Sequence, residues 1–182
     1  INTETALAAE ARQGLLTKPP GSLGYMEKIA VRLAGMQGVE KPSLERIHIS
    51  VFAADHGVAV EGVSAFPQQV TVAMIANFVH GGAAISVLAR SLGATLEVVD
   101  VGAVTMPPSH PAVISNRAGN GTFNMVNECA MSAEQLTTSL QAGAGAVKRA
   151  VEAGAQLFIG GEMGIANTTA ATAIACALMQ RA

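Results

Sequence analysis

Tryptophan is absent from this 182-residue chain, tyrosine occurs once, cysteine twice and histidine four times. Cys129 and Cys176 lie far apart and outside any CxxC or Cys/His ligand spacing, which argues against a disulfide scaffold or a zinc site and fits a reducing compartment. His48, His56, His80 and His110 are scattered, with no HxxxH or HxH pair, so no metal is expected. Charge is scarce too: 13% of residues are charged and the formal net charge is −2, which gives no electrostatic case for nucleic acid. No secretory h-region opens the chain, because Glu4, Glu10 and Arg12 interrupt its first alanines. The apolar run Ile165 to Met179 is too short and too rich in Thr and Ala for a membrane span, so a cytoplasmic protein without membrane contact is expected. The chain starts at Ile1 and its last helix reaches Arg181-Ala182 without a stop signal, which predicts a segment of a longer protein.

What is present is 50% hydrophobic residues, mostly Ala, Val, Ile, Leu and Met, together with 19 glycines. That is the make-up of an α/β protein with tight helix–sheet packing. The organising stretch is Gln156 to Ala170. Leu157, Phe158 and Ile159 read as a strand covered on both faces of a parallel sheet. Gly160, Gly161 and Gly164 then read as a turn that lets backbone approach a ligand. Asn167, Thr168 and Thr169 are cap-type residues ahead of a helix over 170–179, whose free N–H groups and positive dipole end suit a phosphate. Glu162 is the only charge between Glu152 and Arg181. It reads either as an acceptor for substrate hydroxyls or a catalytic group, or as a carboxylate capping N–H groups of its own turn. Neither GxGxxG nor GxxxxGK[ST] is present.

Along the chain, 3–16 is helical in composition, with Leu7, Ala11 and Leu15 on one face. Lys18 to Gly24, with its two prolines, breaks it, and Ser22 is placed to cap a second helix that ends near Gly35 or Gly38. The division expected is a helical arm at 1–38, a linker at 39–45 and an α/β domain at 46–182 that is incomplete at its C-terminus. In that domain the spacing predicts strands at about 47–53, 95–101 and 156–160, adjacent in one parallel sheet within a three-layer fold, with helices at 68–79, 83–91 and 132–153 and a short strand at 113–115. Asp55 and His56 fall at the carboxyl end of the first strand, where ligands sit in doubly wound sheets.

Lys18-Pro-Pro-Gly-Ser-Leu-Gly24, then Ala53-Ala-Asp-His-Gly57 with Glu61-Gly62-Val63, then Gly161-Glu-Met-Gly-Ile-Ala-Asn-Thr-Thr169 together resemble the nicotinate-nucleotide–dimethylbenzimidazole phosphoribosyltransferases of cobalamin synthesis. The motifs stand in that family's order and spacing and span essentially the whole chain. The resemblance implies a Rossmann-like parallel sheet, a small helical domain that includes the N-terminal arm, and a homodimer. It implies transfer of phosphoribose from nicotinate mononucleotide to a benzimidazole-type base, giving α-ribazole 5′-phosphate and nicotinate, with no cofactor. Carried over by motif, Glu162 lies at the ribose and base, while Gly161, Gly164, Ile165, Ala166, Asn167, Thr168 and Thr169 hold phosphate and ribose. Asp55, His56, Ser64, Phe66, Pro67 and Met74 belong to the base pocket, and Lys18, Pro19, Pro20 and Ser22 to an arm that meets the neighbouring subunit. Some members carry Ser where Phe66 stands and Gln where Met74 stands, which leaves the preferred base open. The family's general base, a glutamate, and a phosphate-holding lysine lie downstream of residue 182.

Two other readings fit parts of the pattern: a nucleotide-binding or oligomerisation module without catalysis, and a metal-dependent hydrolase using Asp55, His56 and Glu61.

Overall fold

The structure, a computed structural model, describes residues 1–181. The chain divides into two compact units, one from Ile1 to Glu45 and one that begins at Arg46.

The first unit is a helical hairpin of α1 (Thr3–Leu15) and α2 (Tyr25–Gln37). Asn2 caps α1 by accepting the Thr5 N–H at 3.0 Å, and Gly38 ends α2 at φ 68°. The helices meet through small residues, Ala9, Ala34 and Gly35, whereas Leu7 and Leu15 are exposed. The leucine face that periodicity picks out is therefore not the one that packs in this unit, because small side chains permit the closer approach. Nor does Ser22 cap α2, which starts after Gly24 with no side-chain cap. The Glu27 carboxylate does related work from inside the helix, accepting the Leu23 N–H at 3.2 Å and an ion pair from Lys18 at 2.7 Å. Pro19, Pro20 and Ser22 stand exposed on the turn.

The second unit is an α/β fold. Its strands are β1 (Ile47–Ala54), β2 (Thr95–Gly102), β3 (Val113–Ser115) and β4 (Leu157–Met163). All pair in parallel in the order β3-β2-β1-β4. A short 3-10 turn (Gly57–Glu61), α3 (Gln69–His80) and α4 (Ala84–Ser91) join β1 to β2, and α5 (Ala133–Glu152) leads into β4 and α6 (Asn167–Met179). The three main strands are neighbours, as the βαβ order implies.

Side chains alternate across the sheet. Ile49, Val51 and Ala53 of β1 and Val98 of β2 face α3 and α4 and form the core with Ile75, Phe78 and Ala89. By length and composition, Gln69–Ser91 could also cross a membrane. It is instead two helices broken at Gly81, with Ile75 and Phe78 buried in that core.

On the opposite face, which carries His48, Ser50 and Glu97, α5 closes over a buried polar cluster. Ser50 Oγ donates to Glu97 Oε1 at 2.7 Å, and Arg149 of α5 donates to both Glu97 oxygens at 2.9 and 2.8 Å. Burial by itself would raise the Glu97 carboxyl, but the Arg149 and Ser50 donors outweigh it and hold the group below its ordinary value of 4.5. A carboxyl depressed in the folded state contributes stability that is complete above its unfolded value and lost as pH falls through the folded one. Arg149→Met leaves the carboxylate, 7% exposed, without its cation. We expect a loss of about 3–5 kcal/mol in urea unfolding at neutral pH. The difference from the parent should shrink below the ordinary carboxylate range, where Glu97 is protonated in both.

β4 departs from expectation. The strand continues through Gly160 and Gly161 to Met163, so neither glycine is in a turn. A Cβ on Gly161 would meet only Val51 at 3.5 Å, an ordinary contact. Among the described residues β4 lies at the edge of the sheet, with Ile159 38% exposed.

Candidate functional site

Gly164 is the residue that shapes the turn after β4. A Cβ there would collide with the Ala54 carbonyl oxygen and come within 3.0 Å of the His56 ring. Only a glycine lets the turn close against the end of β1. The next N–H groups have protein partners: Ile165 donates to Thr71 Oγ1 of α3 at 3.1 Å, and Asn167 donates to the Gly164 carbonyl at 3.0 Å. Ala166, buried, takes the N-cap position of α6 with φ 71°, a left-handed conformation that costs a non-glycine residue about 1–2 kcal/mol. Asn167 thus opens the helix rather than capping it.

Glu162 projects from the same face of the sheet as Phe52, its partner in register. Its carboxylate is neither free nor a backbone cap. Asn167 Nδ2 lies 2.5 and 2.7 Å from its two oxygens, while Asn167 Oδ1 accepts the Thr168 N–H at 2.8 Å. One amide therefore ties the carboxylate to the N-terminus of α6, where the helix dipole favours negative charge. The N–H groups of Ile165, Asn167 and Thr168 are consequently engaged. Among the described residues the Thr169 N–H and hydroxyl find no protein acceptor at the turn.

Glu162, Asn167 and Thr168 open onto a cavity of about 640 Å³. Its walls are Phe52 and Val101 of the sheet, Ser139, Leu140 and Gly143 of α5, and Ala171 and Ile174 of α6. The half-buried His56 ring lines it as well. Burial lowers the His56 pKa from 6.5, and the charges of Glu162 and Asp55 offset this only in part. The ring is therefore neutral at pH 7. An imidazole depressed on folding binds fewer protons than in the unfolded chain, so it destabilises the fold as pH drops below 6.5. His56→Gln should flatten the stability profile from pH 6.5 downward and leave neutral stability near the parent's, as read by thermal unfolding across pH.

The other expected residues are placed differently. Asp55, 2% exposed, points its carboxylate at the Val104 N–H (2.8 Å) rather than lining this cavity. Met74 packs against the core beneath α3, on the other face of the sheet from Glu162. Ser64, Phe66 and Pro67 form the loop ahead of α3, where Phe66 is 65% exposed and Ser64 Oγ accepts the Phe66 N–H at 3.3 Å. That loop is tied to the site at its end, since Gln68 donates to the His56 carbonyl at 3.0 Å. Among the described residues no three His, Cys, Asp or Glu side chains are placed to hold a metal ion. Glu61 accepts instead from Asn124, at 2.6 Å. Sequence reasoning missed Thr71 and the α5 wall; the one signal for the latter was a glycine inside a helix.

A parallel sheet with helices on both faces, and a carboxylate fixed at a helix N-terminus beside the strands' carboxyl ends, define an α/β protein with a cleft at the carboxyl ends of its strands. The sequence profile of the family described as Phosphoribosyltransferase matches residues 1–182, and the chain belongs to that family. It is 60% identical over 171 residues to the nicotinate-nucleotide–dimethylbenzimidazole phosphoribosyltransferase of Pseudomonas aeruginosa (strain UCBPP-PA14), covering 94% of this chain and 49% of that protein. Identity to the enzyme of the same name from Pseudomonas fluorescens (strain SBW25) is 59% over 179 residues, 98% of this chain and 51% of that one. The crystal structure of the enzyme of that name from Thermus thermophilus superposes with a TM-score of 0.94 at 45% identity, covering all of this chain and 55% of that one. The chain spans about half the length of the curated relatives it matches.

Proposed function

We propose that the protein transfers phosphoribose from nicotinate mononucleotide to 5,6-dimethylbenzimidazole or a related base, yielding α-ribazole 5′-phosphate and nicotinate. The observation that carries this reading is Glu162, held by Asn167 at the N-terminus of α6 on the wall of the 640 Å³ cavity. A carboxylate there accepts from ribose hydroxyls. The adjoining helix end, with the Thr168 and Thr169 hydroxyls and the Thr169 N–H, receives the phosphate. His56 and the Ser64–Pro67 loop contribute to the base's surroundings, with Asp55 and Met74 supporting them from behind.

The chemistry asks little beyond positioning. The C1′–N bond to a pyridinium breaks without protonation of nicotinate, so the protein must hold the ribose and remove one proton from the incoming benzimidazole. Asp55 is buried against Val104 and is no substitute for a base over the acceptor ring. We assign that base to sequence downstream of residue 182. The reading includes a cytoplasmic homodimer whose arm, with Lys18, Pro19, Pro20 and Ser22, meets the partner's site.

The test is α-ribazole phosphate formation by a protein of the relatives' full length and by the 182-residue chain, at equal folded concentration. The full-length protein should form product, and the shorter chain should be slower by about 10²–10⁴-fold, the usual value of general-base assistance. No product from the full-length protein would refute the activity. Equal rates would place the base within these residues.

A further inference from the structure

Gly143 lies in the middle of α5 (Ala133–Glu152), where a glycine loses more backbone freedom on folding than alanine and adds no side-chain packing. Such a position needs a cause. Positive φ is not one, since Gly143 is not among the glycines with left-handed backbone. Close approach is not one either. The helix packs through Ala142, Ala146 and Ala150, and a Cβ built on Gly143 meets no atom within 4 Å beyond the backbone of its own helix. This contrasts with Gly57 and Gly164, where a Cβ would strike backbone. What Gly143 does face is the cavity that holds Glu162, with Leu140 one turn before it and Ile174 on α6. The walls near it are apolar apart from Ser139, whose hydroxyl donates to the Gln135 carbonyl of its own helix at 2.9 Å, and Glu162 and Asn167 stand together where β4 gives way to α6.

We propose that Gly143 is a specificity-determining residue: its missing side chain leaves the width of a flat aromatic heterocycle, so the ring of the acceptor base lies over Gly143. Leu140 and Ile174 pack on that ring, and its reacting nitrogen is directed to the ribose held at Glu162. The inference rests on the phosphoribosyl-transfer reading above and adds a second wall to the base pocket, on a helix that no motif marks. A methyl group at 143 then competes with the edge of the base for the same space and spares the donor's phosphate and ribose.

The test is Gly143→Ala in the full-length protein, with KM measured for 5,6-dimethylbenzimidazole, unsubstituted benzimidazole and nicotinate mononucleotide, alongside thermal unfolding. A methyl lost from or forced into an apolar pocket typically changes discrimination by tenfold or more. We expect the KM for the dimethylated base to rise about tenfold, that for benzimidazole to rise less, and that for the donor to stay within about twofold. Tm should hold or rise by a degree or two, since alanine is the better helix former in open space. Unchanged base KM values would overturn the proposal. So would a fall in Tm with all three KM values raised, because Gly143 would then be packing against protein rather than ligand. If the wild-type protein transferred nothing, the parent reading would fail separately. Equilibrium binding of benzimidazole would then decide the slot, weaker in Gly143→Ala if it stands and equal if it does not.

Discussion

Gly164→Ala is expected to abolish measurable phosphoribosyl transfer and to cost at least about 3 kcal/mol of stability. The added Cβ would collide with the carbonyl oxygen of Ala54, a backbone atom at the end of β1 where it pairs with Gly102 of β2, and press on the His56 ring at 3.0 Å. Flexible side chains can step aside, but neither β1 nor the turn has that freedom. Ile165 is pinned to Thr71, and Asn167 N–H to the Gly164 carbonyl itself. Relief therefore requires the whole 164–167 turn to move, which drags Asn167 away from Glu162. Urea unfolding and steady-state kinetics on the full-length protein check both parts. A variant of parent-like stability and rate would show that the turn has slack the packing denies.

Glu162→Gln should lower kcat/KM by about 10²–10³-fold, the range found when one preorganised polar group is removed from an active site. The change keeps the side chain's size. It replaces a charged acceptor, held by Asn167 at 2.5 and 2.7 Å, with an amide that offers one oxygen. Stability should fall by no more than about 1 kcal/mol, the usual worth of a carboxylate at an exposed helix N-terminus. That split identifies a functional loss. A kcat/KM within twofold of the parent would leave Glu162 a structural partner of Asn167 and nothing more.

Much of the scaffold was legible because it is written locally. The runs at 47–53, 95–101 and 113–115 are strand-like in composition and bounded by breakers, and the structure forms strands over Ile47–Ala54, Thr95–Gly102 and Val113–Ser115. The Ser132–Gln135 capping box opens α5, with both of its hydrogen bonds made. Glu162 stood out as a lone charge in an apolar stretch. What failed depends on distance in sequence. Gly160 and Gly161 look like a turn because glycine signals freedom, yet pairing with Ser50 and Val51 keeps them in β4. Gly164 is required by an atom of residue 54, which no local pattern reveals. The base-pocket residues suggested by motif divide between a core-packed Met74 and an exposed Phe66. The α5 wall of the cavity meets Glu162 only because sheet order brings β4 beside β1, under the helix that precedes it.

The nucleotide is expected to sit at the Glu162–Asn167 corner of the cavity, and a crystal structure of the full-length protein with nicotinate mononucleotide tests this placement most directly. The phosphate should lie at the N-terminus of α6, on the Thr169 N–H and the Thr168 and Thr169 hydroxyls, with the ribose hydroxyls donating to Glu162. A nucleotide bound elsewhere, with Glu162 still closed on Asn167 and no ligand in the cavity, would contradict it.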